Sequence, residues 1–202
     1  MGTDIDGVIE CRAHGQGWRV ECDVLDLRLG RHYDAWGCLF AVHGSEDIDR
    51  PLFADRGLPD DVCDVVRETS GGDWQHGHTY ATWADVKAAD WEAPVIDGPA
   101  RYWAAEWREG GHGLVLHDVV RATPDLADAA ADTFGGHVLL VPAEWPPGGE
   151  VRLDGVVYRP VVLTARMLAP PDEEPWDRLW RTMRDLAAVH GDDDVRLVVW
   201  FG

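Results

Sequence analysis

Two stretches near the end of the chain decide its fold class: Trp176-Asp177-Arg178-Leu179-Trp180-Arg181-Thr182-Met183-Arg184-Asp185-Leu186-Ala187 and, shortly after it, Val195-Arg196-Leu197-Val198-Val199-Trp200-Phe201. In the first, Trp176, Leu179, Trp180, Met183, Leu186 and Ala187 recur at helical spacing and mark a single apolar face. The second follows Asp192-Asp193-Asp194 and is almost wholly apolar, the pattern of a central strand buried on both sides. An amphipathic helix beside a doubly buried strand needs layers on either side of a sheet. The chain therefore reads as one α+β domain over 1–202, with a mainly antiparallel or mixed sheet and helices on at least one face.

Working outward, residues 5–13 and 18–25 form a predicted hairpin, with Trp18, Val20, Cys22 and Val24 alternating against Arg19, Glu21 and Asp23. Tyr33–His43 carries Trp36, Leu39 and Phe40 at helical spacing. Gly57-Leu58-Pro59-Asp60-Asp61 has the proline and acids of a helix start, placing Val62, Val65 and Val66 inward. Thr82 and Asp85 make a capping box for a short helix ending near Trp91. Pro99 opens a predicted helix carrying Tyr102, Trp103 and Trp107; 113–120 reads as a strand, and Thr123-Pro124 begins a helix through Phe134 with Leu126 and Ala130 inward. His137–Val141 reads as a strand, Asp154-Gly155 as a two-residue hairpin turn, and Val161–Leu168 as extended. Pro146-Pro147-Gly148-Gly149 reads as a permissive loop.

Composition narrows the function classes. The chain holds 37 acidic and 18 basic residues, a net charge of −19, and a single lysine, Lys87. Such a surface repels nucleic-acid phosphates and anionic membranes, although it also resembles what a DNA mimic presents to a basic groove. Asparagine is absent and arginine, alanine, aspartate and glycine abound, a bias that GC-rich coding produces on its own. No apolar run is long enough to span a bilayer, and the N-terminus reads as the start of a folded cytoplasmic protein. Cys11, Cys22, Cys38 and Cys63 lack Cys-x-x-Cys spacing, so neither a zinc ribbon nor a thioredoxin-type site is expected. The only serines, Ser45 and Ser70, sit in no nucleophile elbow, and no phosphate-binding glycine loop occurs.

The densest chemistry lies in Asp73-Trp74-Gln75-His76-Gly77-His78-Thr79-Tyr80-Ala81-Thr82-Trp83. His76 and His78, with Asp4 and Asp6, offer a ligand set for a divalent metal (Zn or Mn), and Glu10 is then the candidate general base of a metal-dependent hydrolase acting on a phosphorylated or nucleotide substrate. The plainer reading leaves the two aspartates at an exposed strand start and the histidines in a surface loop. A second set, Arg31, Arg56, Tyr33 and His78, with Trp83 as a stacking face, offers an anion or nucleotide pocket. Its plainer reading pairs the arginines with Asp34, Asp55 or Asp60, and helical spacing also assigns Trp83 to the core. Of the eleven tryptophans, Trp74, Trp103, Trp107 and Trp145 are candidates for an aromatic patch facing a protein partner or small-molecule ligand.

Met1-Gly2-Thr3-Asp4-Ile5-Asp6 with Glu10, Arg31-His32-Tyr33-Asp34-Ala35-Trp36, Arg56-Gly57-Leu58-Pro59, Gly77-His78-Thr79-Tyr80-Ala81-Thr82-Trp83 and Val195-Arg196-Leu197-Val198-Val199-Trp200-Phe201 together resemble an uncharacterised family found in bacteriophages and in bacterial, including actinobacterial, genomes. Here Thr3 and Asp6 stand where that family has cysteine and histidine, Gly202 stands where aspartate is common, and 92–170 is a β-rich stretch without a counterpart in it. The resemblance implies a phage-related context and no activity. From charge, absent catalytic signature and this resemblance, the expectation is an accessory protein that binds a protein or small polar ligand through an acidic, aromatic surface. The hydrolase is the alternative.

Overall fold

The computed structural model describes residues 4–41, 48–53, 56–136 and 140–202. Two four-stranded antiparallel sheets carry the chain. The first takes β1 (Ile5–Cys11), β2 (Arg19–Asp23), β3 (His76–Thr82) and β8 (Val195–Phe201) in the order β2-β1-β8-β3. The second takes β4 (Trp103–Gly110), β5 (Gly113–Arg121), β6 (Val151–Leu153) and β7 (Val156–Pro160) in the order β5-β4-β7-β6. The helices are α1 (Tyr33–Phe40), α2 (Asp64–Thr69), α3 (Trp83–Ala88), α4 (Pro124–Phe134), α5 (Ala165–Leu168) and α6 (Trp176–His190).

β8 is buried at every residue because β1 and β3 flank its edges while helical segments cover its faces. Leu197, Val199 and Phe201 point to one face, where Leu179, Met183, Trp176 and Trp180 of α6 meet Trp36, Leu39 and Phe40 of α1. Each fully buried Leu or Met there contributes about 1.5–3 kcal/mol. Val198 and Trp200 point to the other face, against Val8, Val62 and Val66. α6 ends where Gly191 turns its N–H back to the Ala187 carbonyl, and His190 in the last turn suits the negative end of the helix.

The second sheet packs α4 on one face through Ala104, Leu126, Ala130, Trp145 and Val151. Its other face carries Trp103 and Ala105 against Val161, Leu163 and Cys38. α1 thus serves both cores, sending Trp36 to the first and Cys38 to the second. Burial pushes the Cys38 thiol up to about 12, the setting of an inert packing cysteine. The hairpin of β6 and β7 turns on Asp154 and Gly155, both at positive φ, as its Asp-Gly sequence requires.

Several expectations give way to tertiary context. Trp103 and Trp107 lie in a strand, not a helix, and Tyr102 just precedes it. The strand's backbone is taken up by β5 on one side and β7 on the other, with a bulge between Glu106 and Trp107, and that pairing overrides helical spacing. Residues 161–163 lie outside any strand, and 165–168 form α5. The α2 helix begins only at Asp64, which rotates Val65 outward to 60% exposure while Val62 and Val66 stay buried. Of the expected His137–Val141 strand, 137–139 lie outside the described residues and Leu140 and Val141 are not in a strand. Asp55 also falls outside them.

Candidate functional site

The face of the first sheet beneath α2 holds two features that side-chain alternation alone builds. In β1, Asp6, Val8 and Glu10 point to this face; in β8, Arg196, Val198 and Trp200 do so, each opposite its β1 counterpart. One end is therefore Glu10 with Arg196 and the other is Asp6 with Trp200.

At the first end the charges are sealed. Glu10 is fully buried; it takes a hydrogen bond from Arg196 Nε at 2.8 Å and another from the Cys63 backbone N–H at 2.9 Å. Arg196 also donates to Asp61 at 2.7 Å, Asp61 accepts from the Trp18 indole at 2.8 Å, and the guanidinium lies 3.7 Å from the Trp18 ring centroid. Partial burial would raise the Asp61 carboxyl, but the Arg196 and Trp18 hydrogen bonds outweigh it and hold that carboxyl below its usual range. A general base must reach a water or substrate proton. Glu10 has both oxygens committed and faces no solvent, so the geometry makes it an anchor that docks the segment before α2 onto the sheet.

The proposed metal ligands are not brought together. Asp4 and Asp6 belong to the β1 side of β8, His76 and His78 to the β3 side, and strand spacing puts those backbones roughly 10 Å apart. Asp4 pairs with Arg31; His78 Nε2 lies 2.8 Å from the Ser70 carbonyl; His76 sits edge-on to Phe201. Among the described residues no group of three or more His, Cys, Asp or Glu side chains is placed to hold a metal. The anion-pocket set is likewise dispersed. Arg56 pairs with Asp85 at 2.6 Å and lies over Tyr80, while Tyr33 and Trp83 pack against the main core. Salt bridging does occupy Arg31 and Arg56, with Asp4 and Asp85 as partners, whereas Asp34 pairs with Arg121.

At the second end lies an open groove of about 320 Å³ lined by Asp6, Gly7, Val8, Val20, Asp23, Val65, Thr69, Gln75 and Trp200. Trp200 is 4% exposed, and its indole N–H has no hydrogen-bond partner among the described residues. Burial first, then the neighbouring charges of Asp4 and Asp23, push the Asp6 carboxyl above its ordinary value. No cation among the described residues pairs with Asp6 or Asp23; Asp23 instead caps the turn at Leu25 with one oxygen. Beside the groove, Trp74 stands 87% exposed, one residue before Gln75, and α2 presents Asp64, Val65 and Glu68 outward. Trp103 and Trp145 are buried in the second sheet's cores and Trp107 is half-buried, so the expected aromatic patch reduces to Trp74. Sequence reading missed Trp200 and Asp23 as lining residues. Only the β1–β8 register and the hairpin bring them to Asp6.

The fold defines the class of the molecule as α+β. Beyond that class, no protein-family model matches the chain, and neither the curated proteins nor the solved structures include a match to it. No helix among the described residues is long and apolar enough to cross a membrane.

Proposed function

We propose that this protein is a non-enzymatic accessory protein that binds a basic partner through the acidic, aromatic surface formed by α2 and residues 71–75. The observation that carries this reading is Trp74, a large apolar ring left 87% exposed between Asp73 and the groove, with Asp64 and Glu68 outward on the adjacent helix. Exposing a tryptophan costs solubility, and indoles framed by charge are what protein interfaces use as anchors. Acidity alone does not single out the surface. Asp125, Asp128 and Asp132 line the outer face of α4 without an exposed ring beside them, the ordinary pattern of a solvated helix. The net charge of −19 favours basic partners and speeds their encounter. The resemblance to a phage-associated family fits an accessory role of this kind. Capture of interacting proteins on the immobilised chain, against Glu68→Lys/Trp74→Ala, tests the reading. A basic protein retained by the wild type, released by added salt and lost from the double variant is the expected result; identical retained sets would sink it.

A further inference from the structure

We infer that the groove between β1, β2 and α2 is a pocket for one ammonium or guanidinium group that carries a carbonyl oxygen alongside it, as a basic residue does. This rests on the partner-binding reading above and names the chemistry that the surface recognises. Trp200 lines the floor, and its buried indole N–H has no hydrogen-bond partner among the described residues. The wall supplies the Asp6 carboxylate, directly opposite Trp200 in the β1–β8 register, where cross-strand neighbours stand about 5 Å apart. Asp23 adds a second carboxylate, and Val8, Val20 and Val65 line the groove with apolar surface for an alkyl stem. Among the described residues the unmet needs are thus complementary: two carboxylates lack a cation and one indole lacks an acceptor.

The surrounding charges agree. Asp4 and Asp23 reinforce the negative potential at Asp6, and Arg31 is committed to Asp4. Arg28 lies in the neighbouring cavity of about 380 Å³, which Asp6 also borders, and does not line the groove. The pocket is small enough for a single side chain or a free amino acid and too small for a folded element.

The test follows the Trp200 indole resonance in 15N-labelled protein, assigned with Trp200→Phe, during titration with N-acetyl-arginine amide, N-acetyl-lysine amide, free arginine and the neutral N-acetyl-norleucine amide. A saturable millimolar shift with the cationic amides, at least about fivefold weaker in Asp6→Asn and absent with norleucine amide, is the expected result. Weaker binding of free arginine than of its amide identifies a chain-borne residue as the natural source; tighter binding identifies the free amino acid. Asp6→Asn removes a charge the fold leaves unpaired, so it will fold, and Asn in place of Asp23 retains the cap, making Asp6→Asn/Asp23→Asn a second probe. A Trp200 resonance that no probe moves, or that norleucine amide moves equally, overturns the inference. Trp74→Ala should leave these titrations unchanged, so a silent groove with Trp74-dependent capture defeats the pocket and spares the surface. The reverse pattern defeats the surface alone.

Discussion

The two sheets are built in opposite ways. The first gathers strands from residues 5–23, 76–82 and 195–201, so its central strand pairs with partners far from it in sequence. The second draws every strand from 103–160, as two hairpins, β4–β5 and β6–β7, which pair through β4 and β7 while the connection carrying α4 runs between the edge strands β5 and β6. Non-local pairing costs loop-closure entropy before any contact rewards it, and local pairing costs little. The first sheet compensates with a doubly buried strand and a sealed ion pair; the second relies on hairpin turns and one helix. The groove and the exposed tryptophan both belong to the non-local sheet.

The largest effect should come from breaking the sealed pair. Glu10→Ala leaves the Arg196 guanidinium buried with Asp61 as its only ion-pair partner among the described residues and strips the Cys63 N–H of its acceptor. Losing one member of a buried pair costs about 3–5 kcal/mol. Urea unfolding followed by tryptophan fluorescence measures it. Replacing both residues, Glu10→Leu with Arg196→Met, should recover most of that loss, because apolar packing removes the desolvation penalty with the charges. A single variant as stable as the wild type would show that the pair is not what holds the α2 segment to the sheet.

How much of this was legible in sequence follows the same division. α6 and β8 could be read because burial against several neighbours forces a clear period, and the Asp154-Gly155 hairpin because its turn chemistry is local. The strand at Trp103–Gly110 was not legible: Trp103 and Trp107 fit a helix equally well, and only pairing to β5 and β7 decides between them. Glu10 reads in the sequence as a candidate general base, whereas its buried pairing depends on Arg196, 186 residues away. Asp6 stands out in the sequence by its spacing from Asp4, while its partner across the sheet is Trp200, which no local pattern connects to it. His76 and His78 stood out by composition, and the strand order separates them from the aspartates.

The local sheet offers a second, smaller test. Leu126→Ala removes a buried side chain that joins α4 to Ala104, Trp145 and Val151, at a cost of about 2–5 kcal/mol depending on how far the site collapses. Because these contacts lie within one contiguous segment, amide exchange should quicken first in β4–β7 while β1 and β8 keep their protection. Equal loss of protection in both sheets would mean that α1, which feeds both cores, couples them into one cooperative unit.

The smallest effect separates the sheets by the sign of their charge balance. Asp6 has a raised carboxyl, through burial and then Asp4 and Asp23, so the folded state prefers its protonated form. The stability tied to that proton is fully present below the ordinary carboxylate value and is lost as pH rises through the raised one. At pH 7 the groove therefore holds an unfavourable charge, and Asp6→Asn should stabilise the protein. The gain stays within a few tenths of a kcal/mol because solvent and salt screen a half-exposed group. It should shrink toward zero as the pH falls below the raised value. Glu150, just before β6 of the second sheet, runs the other way: hydrogen bonding from Arg159, then from Arg152, lowers its carboxyl. Its contribution is present above the ordinary carboxylate value and is lost as pH falls through the lowered one, so Glu150→Gln should lower the melting temperature slightly at pH 7 and have no effect in acid. Melting temperatures of both variants from pH 3 to 8 decide the matter. Opposite signs at neutral pH mark the first sheet as holding carboxylates in need of a cation, and the same sign for both would remove the electrostatic support for a cation in the groove.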